Sequence, residues 1–266
     1  EPYRRQRQMC IRDRFTAIIQ IGTELAVILY FRHDIIRILG AWFGSLFGKE
    51  GKDFKSRMGA HNRDTQMGWF IIIGTLPILI AGLLFKDAIE STLRNLWITV
   101  TVLIIFGILL WVVDARAKQV KTMDEMTWKD ALIFGIGQML ALIPGVSRSG
   151  GTITFGRAMG YTREAAVRVS FLMAIPAVFG AGILEAVSAV KDVAAGNAGM
   201  FPGWGATIAA TIVAFVVGYV VIIGFLKFVS TFSYKAFAIY RIALAVVVAL
   251  LLICGVLHPT EVVAAA

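Results

Sequence analysis

Residues 131 to 161 read ALIFGIGQMLALIPGVSRSGGTITFGRAMGY, and how this stretch is read decides the fold. The apolar run Ala131 to Ile143 would reach only about 20 Å as a helix, at about 1.5 Å per residue. A bilayer core is about 30 Å thick, so the run cannot cross one. Pro144 to Thr152 then places an arginine, three hydroxyls and three glycines in an otherwise membrane-like chain. A second modest apolar run, Ile153 to Tyr161, follows. Together the three pieces read as a re-entrant hairpin that enters and leaves by one face, which survives at membrane depth only where protein or a water-filled cavity surrounds it. A short core helix followed by an ordinary loop is the competing reading.

The rest of the chain supplies the membrane. Of 266 residues, 58% are hydrophobic and 16% charged, with a mean hydropathy of +0.77, which separates the chain from soluble domains. Six segments reach spanning length: Phe15 to Phe31, Met67 to Phe85, Leu96 to Val113, Ala165 to Val190, Trp204 to Leu226 and Ala236 to Leu257. Trp69, Trp97, Trp111 and Trp204 lie near their ends as interfacial anchors. The expectation is an all-α polytopic membrane protein with six transmembrane helices plus a re-entrant hairpin, in one integral domain over residues 15–266. Cys10 and Cys254 match no metal spacing and no disulfide framework.

Charge orients this arrangement. Arg32 to Gln66 is read as a basic loop, Asp114 to Asp130 holds Arg116, Lys118, Lys121 and Lys129, and Lys227 to Tyr234 adds Lys227. Lys86 to Asn95 and Lys191 to Gly203 balance their charges, so the first set faces the cytoplasm. Cations grouped in this way explain the net charge of +9 by membrane orientation, and no nucleic-acid partner is expected. Glu1 to Arg14 (EPYRRQRQMCIRDR) would put five arginines outside, against the rule. It has no apolar core of a signal peptide and is expected to be a non-native basic segment.

The polar island has the chemistry of a phosphate site. Gly145, Gly150 and Gly151 let the backbone turn tightly and approach a ligand, and free N–H groups at a helix start attract anions. Arg148 adds a planar, permanently charged fork, while Ser147, Ser149 and Thr152 add hydroxyls. Phosphoryl transfer depends chiefly on such preorganised charge. Three plainer readings compete: small residues for close helix packing, an Arg148 that snorkels to the interface, and a nucleotide P-loop, which lacks its lysine and its preceding strand here.

Ala141 to Thr152 (ALIPGVSRSGGT), Phe171 to Gly180 (FLMAIPAVFG), Phe237 to Arg241 (FAIYR) and Phe15 to Tyr30 (FTAIIQIGTELAVILY) resemble the undecaprenyl-diphosphate phosphatase, or bacitracin-resistance, family. The resemblance covers nearly all of Phe15 to Leu257. It implies a multi-pass enzyme of the bacterial inner membrane that removes the terminal phosphate of undecaprenyl diphosphate, aided by a divalent cation (Mg or Ca), to recycle the cell-wall lipid carrier. It also implies an inverted-repeat architecture with two hairpins, and leaves room for a homodimer. Carried over by position, Arg148, Ser147 and Thr152 are the catalytic candidates, and Gly145, Ser149, Gly150 and Gly151 bind substrate.

The chain also departs from that pattern. The family's first signature, an ExxxE helix followed by a proline, serines and a histidine, should lie just before Phe15, where EPYRRQRQMCIRDR stands. Metal ligands are therefore not identifiable, and diphosphate binding with little catalysis is the expectation. Gln138 and Leu142 hold the pseudo-repeat places of the two glutamates. Gln20 and Glu24 share a helical face and are candidates to line a cavity. His33, His61 and His258 read as solvated, Arg157, Arg163 and Arg168 as topogenic or headgroup contacts, and Glu185 and Arg241 as weaker candidates. A transporter or flippase of a phosphorylated polyprenyl lipid is the alternative from another class.

Overall fold

The computed structural model describes residues 19–85, 88, 89, 93, 95–194 and 204–259. Apart from isolated bridges, such as that between Lys121 and Tyr161, the regular elements among the described residues are helices. They run α1 (Ile19–Tyr30), α2 (Arg32–Leu46), α3 (Phe54–Arg57), α4 (Arg63–Leu84), α5 (Leu96–Arg116), α6 (Trp128–Met139), α7 (Arg148–Ala158), α8 (Arg163–Ala194), α9 (Trp204–Thr231) and α10 (Lys235–Ile253). Asparagines set two of the spanning starts: Asn62 accepts from the amides of Asp64 and Thr65, and Asn95 from that of Trp97. These caps satisfy amides that have no partner within the helix.

Four described helices, α4, α5, α9 and α10, are long and apolar enough to cross a membrane. The protein is thus an all-α polytopic membrane protein. The stretch expected at Ala165 to Val190 lies within α8, which runs for 32 residues. The N-terminal span is described only from Ile19, and Glu1 to Arg14 lies outside the described residues.

One expectation is overturned. Arg32 to Gln66 is not a loop: it contains α2 and α3. Its polar first turn, Arg32 to Asp34, and its length of 15 residues keep α2 below any spanning criterion. Ile38 and Ser45 nevertheless give it a buried face, so it folds by packing rather than by crossing a bilayer.

The chain forms two compact units, Glu1–His33 with Ile175–Phe225 and Val262–Ala266, and Asp34–Ala174 with Leu226–Glu261. In the first, α1 packs on α9 so closely that a Cβ on Gly22 would stand 2.3 Å from the carbonyl oxygen of Thr211. In the second, α6 lies against α4 and α7, with α5 against α7 and α10. Glycine permits the central crossings: a Cβ on Gly135 would meet the Gly74 carbonyl at 2.5 Å, and one on Gly151 the Gly137 carbonyl at 2.3 Å. Backbones approach this nearly only where side chains are absent.

The second unit contains the hairpin. Its arms, α6 and α7, have 12 and 11 residues and are too short to span. At their open end the Tyr161 hydroxyl donates to Asp130 at 2.8 Å, Lys121 approaches Asp130 at 3.7 Å, and the Thr162 amide donates to the Lys121 carbonyl. Thus the two arms begin and end beside one another, and a second helix, α7, stands where the competing reading placed an ordinary loop.

Beside that end Asp114 collects several donors. Arg157 reaches it at 2.8 Å, Arg163 at 2.9 Å and the Tyr234 amide at 3.1 Å. Arg157 is completely buried, which corrects its expected role as a headgroup contact: a guanidinium there requires the carboxylate. Arg163 shares the same acid, and Arg168 pairs with Asp34 at 3.1 Å.

Candidate phosphate-binding site

The closed end of the hairpin is the Pro144 to Thr152 turn. A short 3-10 turn, Leu140–Leu142, ends the first arm. Gly145 takes φ 100°, a left-handed conformation that glycine alone adopts without strain. Its Cα lies against α5, where a Cβ would stand 2.7 Å from the Thr99 carbonyl. Ser147 also has a positive φ, 66°, the one such non-glycine position among the described residues. Backbone strain of this kind costs about 1–3 kcal/mol and persists where the surroundings enforce it.

Ser147 in turn starts α7. Its Oγ accepts from the Gly150 amide at 3.3 Å, leaving its own proton available to an incoming acceptor. Ser147 is exposed, and Arg148 and Ser149 are half-buried at the first positions of the helix. Thr152 differs. It is fully buried and donates to the Arg148 carbonyl at 2.8 Å, so its proton is committed inside the helix. Thr154 does the same to the Gly150 carbonyl at 2.6 Å.

A residue ranked low in the sequence joins this turn. Arg241, on α10, is 8% exposed, donates through Nη2 to the Gly145 carbonyl, and holds Nη1 beside Gly150. Its Nε has no hydrogen-bond partner. The FAIYR string that carried the family resemblance was the available signal, but a position 96 residues away along the chain gives no indication of contact. Gln138 is wholly buried, and both atoms of its amide lack partners. A buried amide without partners costs about 1–3 kcal/mol.

The donors at the tip are two guanidiniums, hydroxyls and helix-start amides. Residues 131 to 161 include no Asp or Glu, and no cluster of three or more His, Cys, Asp or Glu occurs among the described residues. This set fits an anion and does not fit a divalent cation, which takes carboxylate and carbonyl oxygens. Elsewhere, Glu24 is buried and Gln20, one turn earlier, is exposed, as are His33, His61 and His258. The side chain of Glu185 lies outside the described residues.

Fold and tip together define a polytopic α-helical membrane protein whose hairpin tip gathers arginine, glycine and hydroxyls, a donor set whose chemistry suits an anion. The chain belongs to the bacitracin resistance protein BacA family, whose model matches residues 4–247, beginning inside the basic segment that the sequence set apart. A protein of Bifidobacterium animalis subsp. lactis (strain AD011), named undecaprenyl-diphosphatase, is 77% identical over 247 residues, covering 93% of this chain and 83% of its own. One of the same name from Paenarthrobacter aurescens (strain TC1) is 53% identical over 238 residues, 90% of this chain and 82% of its own.

Proposed function

We propose that the protein hydrolyses undecaprenyl diphosphate to undecaprenyl phosphate, returning the lipid carrier to cell-wall synthesis from the bacterial inner membrane. The observation that carries this reading is the reach of Arg241 into the same glycine turn that begins α7 with Arg148. Two permanent cations at a helix start suit the terminal phosphate of a lipid diphosphate.

In this reading Arg148 binds the terminal phosphate and stabilises the charge that grows on it as the P–O bond breaks. Arg241 fixes the turn through the Gly145 carbonyl. Ser147 offers its proton to a phosphate oxygen, and Gly150 and Gly151 allow the headgroup close to the backbone, with Ser149 beside them. Thr152 acts through Arg148, whose carbonyl it holds, and is a positioning residue. The tip residues do not fit a divalent cation, so no step is assigned to one.

Phosphate release from undecaprenyl diphosphate by the purified protein in detergent tests the proposal. Arg148→Ala is expected to lower that release at least about 10³-fold. Unchanged turnover in the variant overturns the assignment. Movement of the lipid diphosphate across a sealed bilayer without phosphate release would instead identify a transporter, whereas binding alone in detergent would match the weak catalysis expected of a chain that lacks the family's first signature.

A further inference from the structure

Helix α2 has two unlike faces. Ile38 and Ser45 are buried, Trp42 meets Trp69 of α4 with ring centroids 5.4 Å apart, the Ser45 hydroxyl donates to the Ser56 carbonyl at 2.9 Å, and Arg37 pairs with Asp64 at 3.1 Å. The other face carries Ile36, Leu39 and Phe43, continued just past the helix by Phe47. These four are exposed, Ile36 by 68% and Phe47 by 85%. Their spacing of three, four and four residues makes one continuous stripe along a helix. At 15 residues and about 22 Å, α2 by itself is too short to cross a bilayer, and Arg32, His33, Asp34 and Arg37 precede or interrupt the stripe, which suits the edge of a bilayer better than its core.

Directly after the stripe come exposed Lys49, Lys52, Lys55 and Arg57, with Phe54 exposed among them. The two carboxylates of this stretch are occupied locally. Asp53 caps α3, accepting from the amide and hydroxyl of Ser56 at 3.2 and 2.6 Å, and Glu50 accepts from Asn62 at 2.6 Å and Thr65 at 3.2 Å. The cations are therefore presented outward beside aromatic and aliphatic side chains. An apolar stripe edged by basic residues matches the boundary of an anionic leaflet, where acyl chains and phosphates lie side by side.

We infer that α2 and the loop after it bind anionic phospholipid, with Ile36, Leu39, Phe43 and Phe47 at the acyl boundary and Lys49, Lys52, Lys55 and Arg57 on the headgroups. The site is independent of the hydrolytic reading, because it uses none of the hairpin tip.

The full chain in nanodiscs of phosphatidylcholine with or without phosphatidylglycerol tests this. A spin label at Phe47→Cys, in a Cys10→Ser and Cys254→Ser background, is expected to be open to oxygen and shielded from a water-soluble nickel chelate. The combined Lys49→Gln, Lys52→Gln, Lys55→Gln and Arg57→Gln variant should retain at least about tenfold less phosphatidylglycerol by native mass spectrometry, while phosphate release stays at its original level. Unchanged phosphatidylglycerol retention overturns the inference. So does free chelate access to Phe47 in both lipids, or spin–spin broadening between two copies, which would assign the stripe to a second chain.

Discussion

Arg241 donates to the carbonyl oxygen of Gly145, 96 residues earlier in the chain. Gly145 holds a left-handed turn between two helices too short to span, where a carbonyl has no partner in regular structure and must find one elsewhere. The guanidinium satisfies it and brings a positive charge against Gly150. Structural and electrostatic roles therefore meet in one side chain.

Arg241→Lys preserves charge but cannot place two donors in a fixed plane. It is expected to reduce phosphate release about 10- to 100-fold, and Arg241→Ala still further, with helix content by circular dichroism unchanged. Full activity in the lysine variant would show that charge alone matters there.

Gly151→Ala would put a Cβ 2.3 Å from the Gly137 carbonyl. Separating the hairpin arms to admit it should cost about 1–3 kcal/mol, read as a lower Tm. Gly82→Ala is the control, because nothing lies within 4 Å of its Cβ position, and its Tm should hold or rise.

Asp114→Asn removes the charge that Arg157 and Arg163 share, at 2.8 and 2.9 Å. Since Arg157 is fully buried, an uncompensated charge remains, at an expected cost of about 3–5 kcal/mol. Thermal unfolding in detergent measures it, and a Tm equal to that of the unsubstituted protein would refute the dependence.

Tyr161 should make the fold sensitive to alkali. Burial, then its hydrogen bond to Asp130, pushes the phenol pKa above its ordinary value. The folded state therefore keeps this proton longer than the unfolded chain. The resulting stability is fully present below about pH 10, the unfolded phenol's pKa, and is lost as pH rises toward the folded value. Above about pH 10, the decline in Tm should be shallower in Tyr161→Phe, and identical slopes would count against this origin. Tyr234 contributes with the same sign, through burial and Asp114.

Much of this was legible in the chain. Length and hydropathy marked α4, α5, α9 and α10, and a short run before Pro144 marked the hairpin, because crossing a bilayer imposes a length that composition reveals directly. The PGVSRSGGT string likewise marked the turn at the hairpin tip, because its glycines permit the left-handed backbone found at Gly145. The same criterion hid α2, since a 15-residue helix held by a buried face need not meet a spanning length. It also misread Arg157, because an arginine near a helix end looks the same whether it meets lipid or a buried aspartate.

By itself, then, the sequence determined a polytopic helical protein with a cationic, glycine-rich hairpin tip, through properties that each residue carries locally. Tertiary structure alone decided that Arg241 joins that tip, that Thr152 commits its proton to the helix, and that Asp130 and Tyr161 close the hairpin's open end. These depend on which distant backbones approach one another, and glycines at positions 74, 135, 137 and 151 set that approach only once the helices have packed.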